Sequence, residues 1–478
     1  MIASTSKDSS HAFTIEPMDS NSRTLRQHPR FLQYPVVLVL AMASALALLA
    51  PRAQAQDNIF TGTNSGASSI RIAVADFKPL ASDAQTIALR QTFDATLYAD
   101  LASAGIFDIV SKSLMPSGSP GTPAEIQLPG YASAPASASF VAFGSLTVAG
   151  GRLVTNGFLF DAKNLQYPQV LAKQYNEEPS EDSSRQIAHR FADEIILRLG
   201  GGTPGIAETK IVYVKRAGAE KDIWMMDYDG ANQHQITHLG TSVMSPRISP
   251  DNSRLAFASL GKYGFQLKMY SLLLGRYVNF PGGAGSGASP AWAPSGNEIA
   301  FSAAPNGAFD IWIADSNGNL ARRVTSFRGG NVSPTYNPKT GDQMAFISGR
   351  TGLPQLYIMN SDGSSVQQMT DGGYASSPSW SPNGQFVAFA WDRKYGPGAP
   401  GGQDIYVMEV ATKKWIQLTH DTGRCDFPSW SPDGRHIAYA NSSDGRAEHN
   451  RIWSMLADGS QRRPLTGPGA DMPNWSWK

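Results

Sequence analysis

The sequence predicts a two-domain chain of mixed class, α+β and all-β: an N-terminal α/β domain followed by a six-bladed β-propeller. Three observations carry this. A phrase of Pro-x-aromatic followed by Ser/Asn-Pro-x-Gly recurs through the second half. Upstream of it the hydrophobic pattern alternates between strand and helix periods. The last copy of the phrase stops early, and an unmatched segment near residue 210 supplies the part it lacks.

In chain order, residues 1–55 read as a signal peptide. Arg23, Arg26 and Arg30 precede an apolar run over residues 36–50, and Ala53-Gln54-Ala55 suits cleavage near Ala55. That run is shorter than the roughly 20 residues needed to cross a bilayer, so export is expected with no direct membrane insertion after cleavage. Cleavage removes Lys7, Arg23, Arg26, Arg30 and Arg52 against Asp8, Glu16 and Asp19, taking the formal charge from +1 to −1. A nearly neutral chain gives no electrostatic basis for nucleic-acid binding. Cys425 is the sole cysteine, so no internal disulfide forms.

Residues 56–69 are rich in Gly, Ser, Asn and Thr and read as a flexible mature N-terminus. Residues 70–202 read as the α/β domain. Residues 70–75 alternate as a strand. Ser82 with Gln85 forms a capping box for a helix carrying Leu89, Phe93, Leu97 and Leu101, stopped by Gly105. Residues 107–110, 140–146, 153–160 and 170–175 read as strands, with Gly150-Gly151 as a hairpin turn. Residues 116–135 read as a Pro/Ala/Ser/Gly loop. A second helix places Ile187, Phe191, Ile195 and Leu199 on one stripe before Gly200-Gly201-Gly202. Residues 203–208 are the linker.

Residues 209–478 form the propeller. The leading prolines Pro246, Pro290, Pro334, Pro378, Pro428 and Pro473 step by 44, 44, 44, 50 and 45 residues, a period that suits one four-stranded blade each. Each unit continues with an apolar strand such as Ile437-Ala-Tyr439 and a β-branched/aromatic strand such as Ile311-Trp312-Ile313. It then takes an Asn-Gly or Asp-Gly turn and closes on a strand ending in Thr. The Asp-Gly signal suggests type I′ turns with positive φ twice. The sixth copy, Pro473-Asn-Trp475, is followed by no further strands. Residues 210–214 and 223–226, the Asp229-Gly230 turn and Ile236-Thr237 provide them, so one blade is expected to be stitched from two distant segments, closing the ring.

Motifs for chemistry are sparse. Trp292, Trp380, Trp430 and Trp475 recur at one repeat position, which argues for packing between blades rather than sugar stacking. Asp227-Tyr-Asp229 begins like a calcium loop but lacks its closing Glu. The histidines show no ligand spacing, and nucleophile elbows and phosphate loops are absent, so no catalytic residue, metal or cofactor is assigned. Because meander strands alternate direction, the loops at 261–265, 305–309, 350–354, 392–403 and 443–450 share one face with the crossovers between blades. Variable loops on a rigid scaffold are where binding is expected.

An exported α/β domain, a Gly-rich linker leading into Gly205-Ile-Ala-Glu-Thr-Lys-Ile-Val-Tyr213-Val, and a six-bladed propeller with Ser-Pro-Asp-Gly turns together resemble the TolB family over residues 56–478. The resemblance implies a monomeric, non-enzymatic periplasmic scaffold of the Tol–Pal system, serving outer-membrane integrity and constriction at cell division. It implies two partners: a Pal-type peptidoglycan-associated lipoprotein at the loop-rich propeller mouth, and a TolA-type inner-membrane protein at the N-terminus. Carried over by motif, the lipoprotein contacts fall in crossovers 283–289 and 329–333. Family members place a histidine and a basic residue there, whereas this chain has mostly Gly, Ala and Ser. The implied lipoprotein contacts are Ser286, Ser289, Arg328, Asn331, Ser333, Arg424, Asp426 and Asp471, and the TolA-type contacts are Ile59 and Phe60. The competing expectation is an exported propeller enzyme or glycan-binding protein with its site in the central channel.

Overall fold

The computed structural model describes residues 69–218, 220–281, 287–305, 307–396, 402–420 and 422–477. The expected signal segment, Ile59, Phe60 and Ser286 lie outside the described residues.

The N-terminal part is a mixed sheet with helices on one face. Strands Phe107–Ile109, Ile70–Val74 and Phe140–Ala149 run parallel, and Arg152–Asp161 and Gln169–Glu177 continue antiparallel. Helix α1 (Ala84–Ser103) is capped by Asp83, whose carboxylate accepts from Thr86 N at 2.8 Å, rather than by Ser82. Helix α2 (Glu181–Leu199) is capped by Ser180. Leu89, Phe93, Leu97 and Leu101 of α1 interlock with Ile187, Phe191 and Ile195 of α2 over Ile72, Val74 and Leu159 of the sheet. The segment read as a loop does more than connect. It contains a short helix, Leu128–Ala132, and its Ile126, Leu128, Tyr131 and Ala136 cover the other sheet face over Phe143 and Phe160.

Among the described residues, the C-terminal part consists of six four-stranded antiparallel sheets around a channel. Blades I to V begin at strands Val243–Ile248, Gly287–Trp292, Asn331–Tyr336, Tyr374–Trp380 and Arg424–Trp430. Blade VI is stitched as the sequence predicts. Its inner strand Ala470–Trp475 pairs antiparallel with Lys210–Ala217, Trp475 opposite Ile211.

Each blade is sealed to the next by an apolar cluster spanning two sheets. Trp475 packs with Ala438 of blade V and Tyr213 of blade VI, Trp430 with Ala388 and Ile437, and Trp380 with Ile347 and Val387. The repeated aromatics are thus packing groups, and burying each contributes about 1.5–3 kcal/mol. The terminal threonines have a defined task. Thr237, Thr325 and Thr419 accept from the backbone N–H of Ile223, Ile311 and Ile405 and donate to Asp222, Asp310 and Asp404, tying the outer strand to the third. The Asp-Gly turns differ from type I′. Only the glycine is left-handed (Gly230 φ 94°, Gly363 φ 94°), and Asp229 instead accepts from Ala231 N through its side chain.

Candidate functional site

The two faces of the propeller carry different work. On the tight-turn face, the α/β domain docks over blades V and VI. Asp100 of α1 is buried. One oxygen accepts from the Tyr228 hydroxyl of blade VI at 2.5 Å, and the other meets His189 Nδ1 of α2 at 2.8 Å. Burial opposes charge on His189, but the hydrogen bond and charge of Asp100 outweigh it and raise its pKa. Arg185 donates to Asp229 at 2.7 Å, so the acids that resemble a calcium loop hold an arginine of the neighbouring domain. From blade V, His436 Nε2 donates to Ser103 O at 2.7 Å, and Arg435 donates to Gly200 O at 3.3 Å. The segment between the domains is wedged into this joint. Ile206 and Ala207 are buried, and Ala207 N donates to Asp193 at 2.9 Å. A Cβ on Gly205 would lie 2.1 Å from Asp193 Oδ1, so only glycine fits.

Tyr228 and His436 were not singled out from sequence. The readable signal was a tyrosine where other repeats carry Ser316, Ser361 or Ala457. With the turns of blades V and VI covered by the α/β domain, the loop-rich face is the candidate surface for a partner.

On the loop-rich face every inner strand bulges at the residue before its proline. Ser245, Ser289, Ser333, Ser377, Phe427 and Met472 all have φ between 50° and 54°, and ladder register shifts at each. A left-handed non-glycine costs about 1–2 kcal/mol, and bulges of this kind redirect side chains near functional sites. Ser289 and Ser333 therefore sit at bulges.

The remaining candidate residues separate into exposed and buried groups. Arg328 is exposed and makes no hydrogen bond or ion pair among the described residues. Arg424 is exposed and donates to Gln403 at 3.1 Å and Asp426 at 3.0 Å. Asp426 itself is buried, accepting from Phe427 N at 2.8 Å. Asp471 is pushed up to about 6 by desolvation, with the Asp426 carboxylate adding to the shift. Asn331 is fully buried. It donates to Asp310 and the Phe327 carbonyl and accepts from Ser348 and Arg350, so it braces the crossover instead of presenting a contact.

Sequence reasoning missed the apolar half of this face. Tyr263, Phe309, Phe327, Leu353, Tyr374 and Tyr395 are all exposed, Phe327 at 49% and Tyr395 at 52%; Tyr374 opens the inner strand of blade IV and the others lie on loops or crossovers of blades I to IV. Arg350 is clamped among aromatics, its guanidinium 4.1 Å from the Phe327 ring centroid and 4.6 Å from that of Tyr357. Arg393 stacks likewise over Trp415 at 4.2 Å. Blades V and VI present Arg424, Asp444 and Arg446 instead. The mouth sets an aromatic-rich arc, which also carries Arg328, Arg350 and Arg393, opposite a charged arc. Among the described residues no group of His, Cys, Asp and Glu is placed to hold a metal ion, and no helix is long and apolar enough to cross a membrane.

Comparison with known proteins agrees with this architecture. A family model for the TolB beta propeller domain matches residues 198–478. A TolB homolog from Chlorobium luteolum is 30% identical over 292 residues, 61% of this chain and 64% of its own length. The chain thus spans less than two thirds of that relative. The Tol-Pal system protein TolB of Gluconobacter oxydans is 28% identical over 362 residues, 66% of this chain and 77% of its own. The crystal structure of TolB from Acinetobacter baumannii superposes with a TM-score of 0.70 over 86% of this chain and 98% of that one, at 22% identity, a likeness of fold. With six blades, a stitched sixth sheet and a family match over more than half its length, this chain belongs to the TolB β-propeller family.

Proposed function

We propose that the protein is a non-enzymatic periplasmic adaptor of the Tol–Pal system. The loop-rich mouth receives a Pal-type peptidoglycan-associated lipoprotein, and the N-terminal segment with Ile59 and Phe60 engages a TolA-type inner-membrane protein. The linkage serves outer-membrane integrity and constriction at division. The observation that carries the reading is the division of labour between faces. The α/β domain covers the turns of blades V and VI, while the opposite mouth keeps its aromatics uncovered. Exposed aromatics and arginines are the residue types that dominate binding energy at interfaces. Phe327, held against Arg350, and Tyr374, 5.5 Å from Tyr395, are rigid enough to act as anchors. Arg328 and Arg424 supply charge at the rim.

The test is a titration of the purified mature chain with the soluble domain of the lipoprotein from the same genome, by calorimetry. Saturable binding is expected. Phe327→Ser with Tyr374→Ser should weaken it by at least about tenfold, and Arg424→Ala by several-fold, with the melting temperature changed by no more than about 2 °C. Absence of binding, or affinities unaffected by all three changes, rejects the reading.

A further inference from the structure

At the turn-side end of the central channel, remote from the loop-rich mouth, lies a cavity of about 150 Å³ lined only by propeller residues. Its walls include the indoles of Trp292, Trp380 and Trp430 and the rings of Pro382 and Pro432. Arg247 is the one charged side chain among the residues that line it. Among the described residues its guanidinium donates from Nη1 to the neighbouring Pro246 carbonyl at 2.8 Å and makes no ion pair. Desolvation pulls its pKa down to about 10, which records a cation without a counter-charge. Arg247 is half-buried on the channel wall, and a partly desolvated charge gains when something pairs with it.

Three of the other polar groups are used in the same sense. In three of the six Pro-x-aromatic phrases the side chain at the middle position reaches to the next blade and uses its oxygen there. Ser379 Oγ accepts from Trp430 N at 3.4 Å, Ser429 Oγ from Trp475 N at 3.0 Å, and Asn474 Oδ1 from Ile248 N at 2.9 Å. These groups keep donors to offer: two hydroxyl hydrogens and an amide NH₂, beside lone pairs that a hydroxyl can leave unused. Donors surrounding an unpaired guanidinium, with no carboxylate on the walls, are the complement of an oxyanion. The planar fork of arginine matches a carboxylate in two hydrogen bonds. Walls of indole and proline add favourable contact for an apolar or ring-shaped body, and a cavity of this size admits a benzene ring.

We infer that the turn-side channel cavity binds a small organic carboxylate, its charge on Arg247 and its body between the tryptophan faces. This site is independent of partner binding at the mouth. The ring of tryptophans that holds the blades together thus also walls a ligand chamber.

The probe is benzoate, titrated into the purified mature chain in low-salt Tris buffer. Its neutral isostere benzamide and inorganic phosphate are run alongside. Benzoate should bind saturably at millimolar concentration or below and raise the melting temperature, and benzamide should do neither. Arg247→Gln should weaken benzoate by at least about tenfold, the loss of a charge-assisted pair. Arg247→Met should melt higher than the unmodified chain without benzoate, and the gap should close as benzoate is added. Equal binding of benzoate and benzamide by the unmodified chain, a measurement that needs no variant, overturns the assignment. So does undiminished benzoate binding by Arg247→Gln, tighter binding of phosphate than of benzoate, or no saturable benzoate binding.

Discussion

Asp471 shows how one side chain couples the mouth to its chemical surroundings. Its carboxyl accepts from Met472 N at 2.9 Å, yet desolvation first, and then Asp426, keep its pKa near 6. An unfolded aspartate titrates near 4. Between about pH 4 and pH 6 the folded chain therefore holds a proton that the unfolded chain has lost. Stability falls as pH rises through that window, and the full penalty applies above it. Asp471→Asn should raise the melting temperature at about pH 7.5, by an amount on the order of 2 kcal/mol, and leave it nearly unchanged at about pH 4. Calorimetry at the two pH values decides it, and an equal effect at both would contradict the buried-carboxylate account. None of this was legible from sequence. Asp426, Asp471 and Asn331 read as surface polar groups because a crossover of Gly, Ser and Asp looks solvated whether or not the bulged strand turns it inward.

At the level of elements, the repeat was legible because each blade repeats the same physical solution at the same spacing: a proline, an aromatic wedge, a polar turn and a closing threonine. The α/β helices were legible from their apolar stripes, although the cap moved from Ser82 to Asp83, the residue whose carboxylate reaches Thr86 N. The cover over the second sheet face was not legible. Ile126, Leu128 and Tyr131 lie in a Pro/Gly/Ala-rich run with no period, and only the folded chain shows them meeting Phe143. The linker was read as a spacer and is a packed wedge. Gly205→Ala would drive a methyl into Asp193 and break its bond to Ala207 N, so a loss of about 2 kcal/mol is expected. Thermal unfolding should show it, and an unchanged midpoint would mean the wedge is not tight.

For the whole molecule, five blades are built from consecutive strands and the sixth from strands far apart in the chain, so the ring closes within blade VI. Ala470–Trp475 and Lys210–Ala217 are expected to meet only after the intervening blades have formed, since closing a loop of that length costs on the order of 5 kcal/mol. Trp475 is central to that joint. It fills the blade V–VI cluster, and its Nε1 donates to Thr209 at 2.8 Å. Trp475→Ala should cost about 3–5 kcal/mol and lower the melting temperature by several degrees. A smaller effect than that of Trp380→Ala would show that the joint is not the ring's critical one.

The α/β domain sits over that same joint. Tyr228 and Asp229 belong to the stitched blade and His436 to its neighbour, and both blades are gripped by α1 and α2. A tug on either helix is therefore delivered to the least local seam of the toroid. The seating of the two helices and the closure of the ring therefore share the same residues, and a change that unseats the one reaches the other.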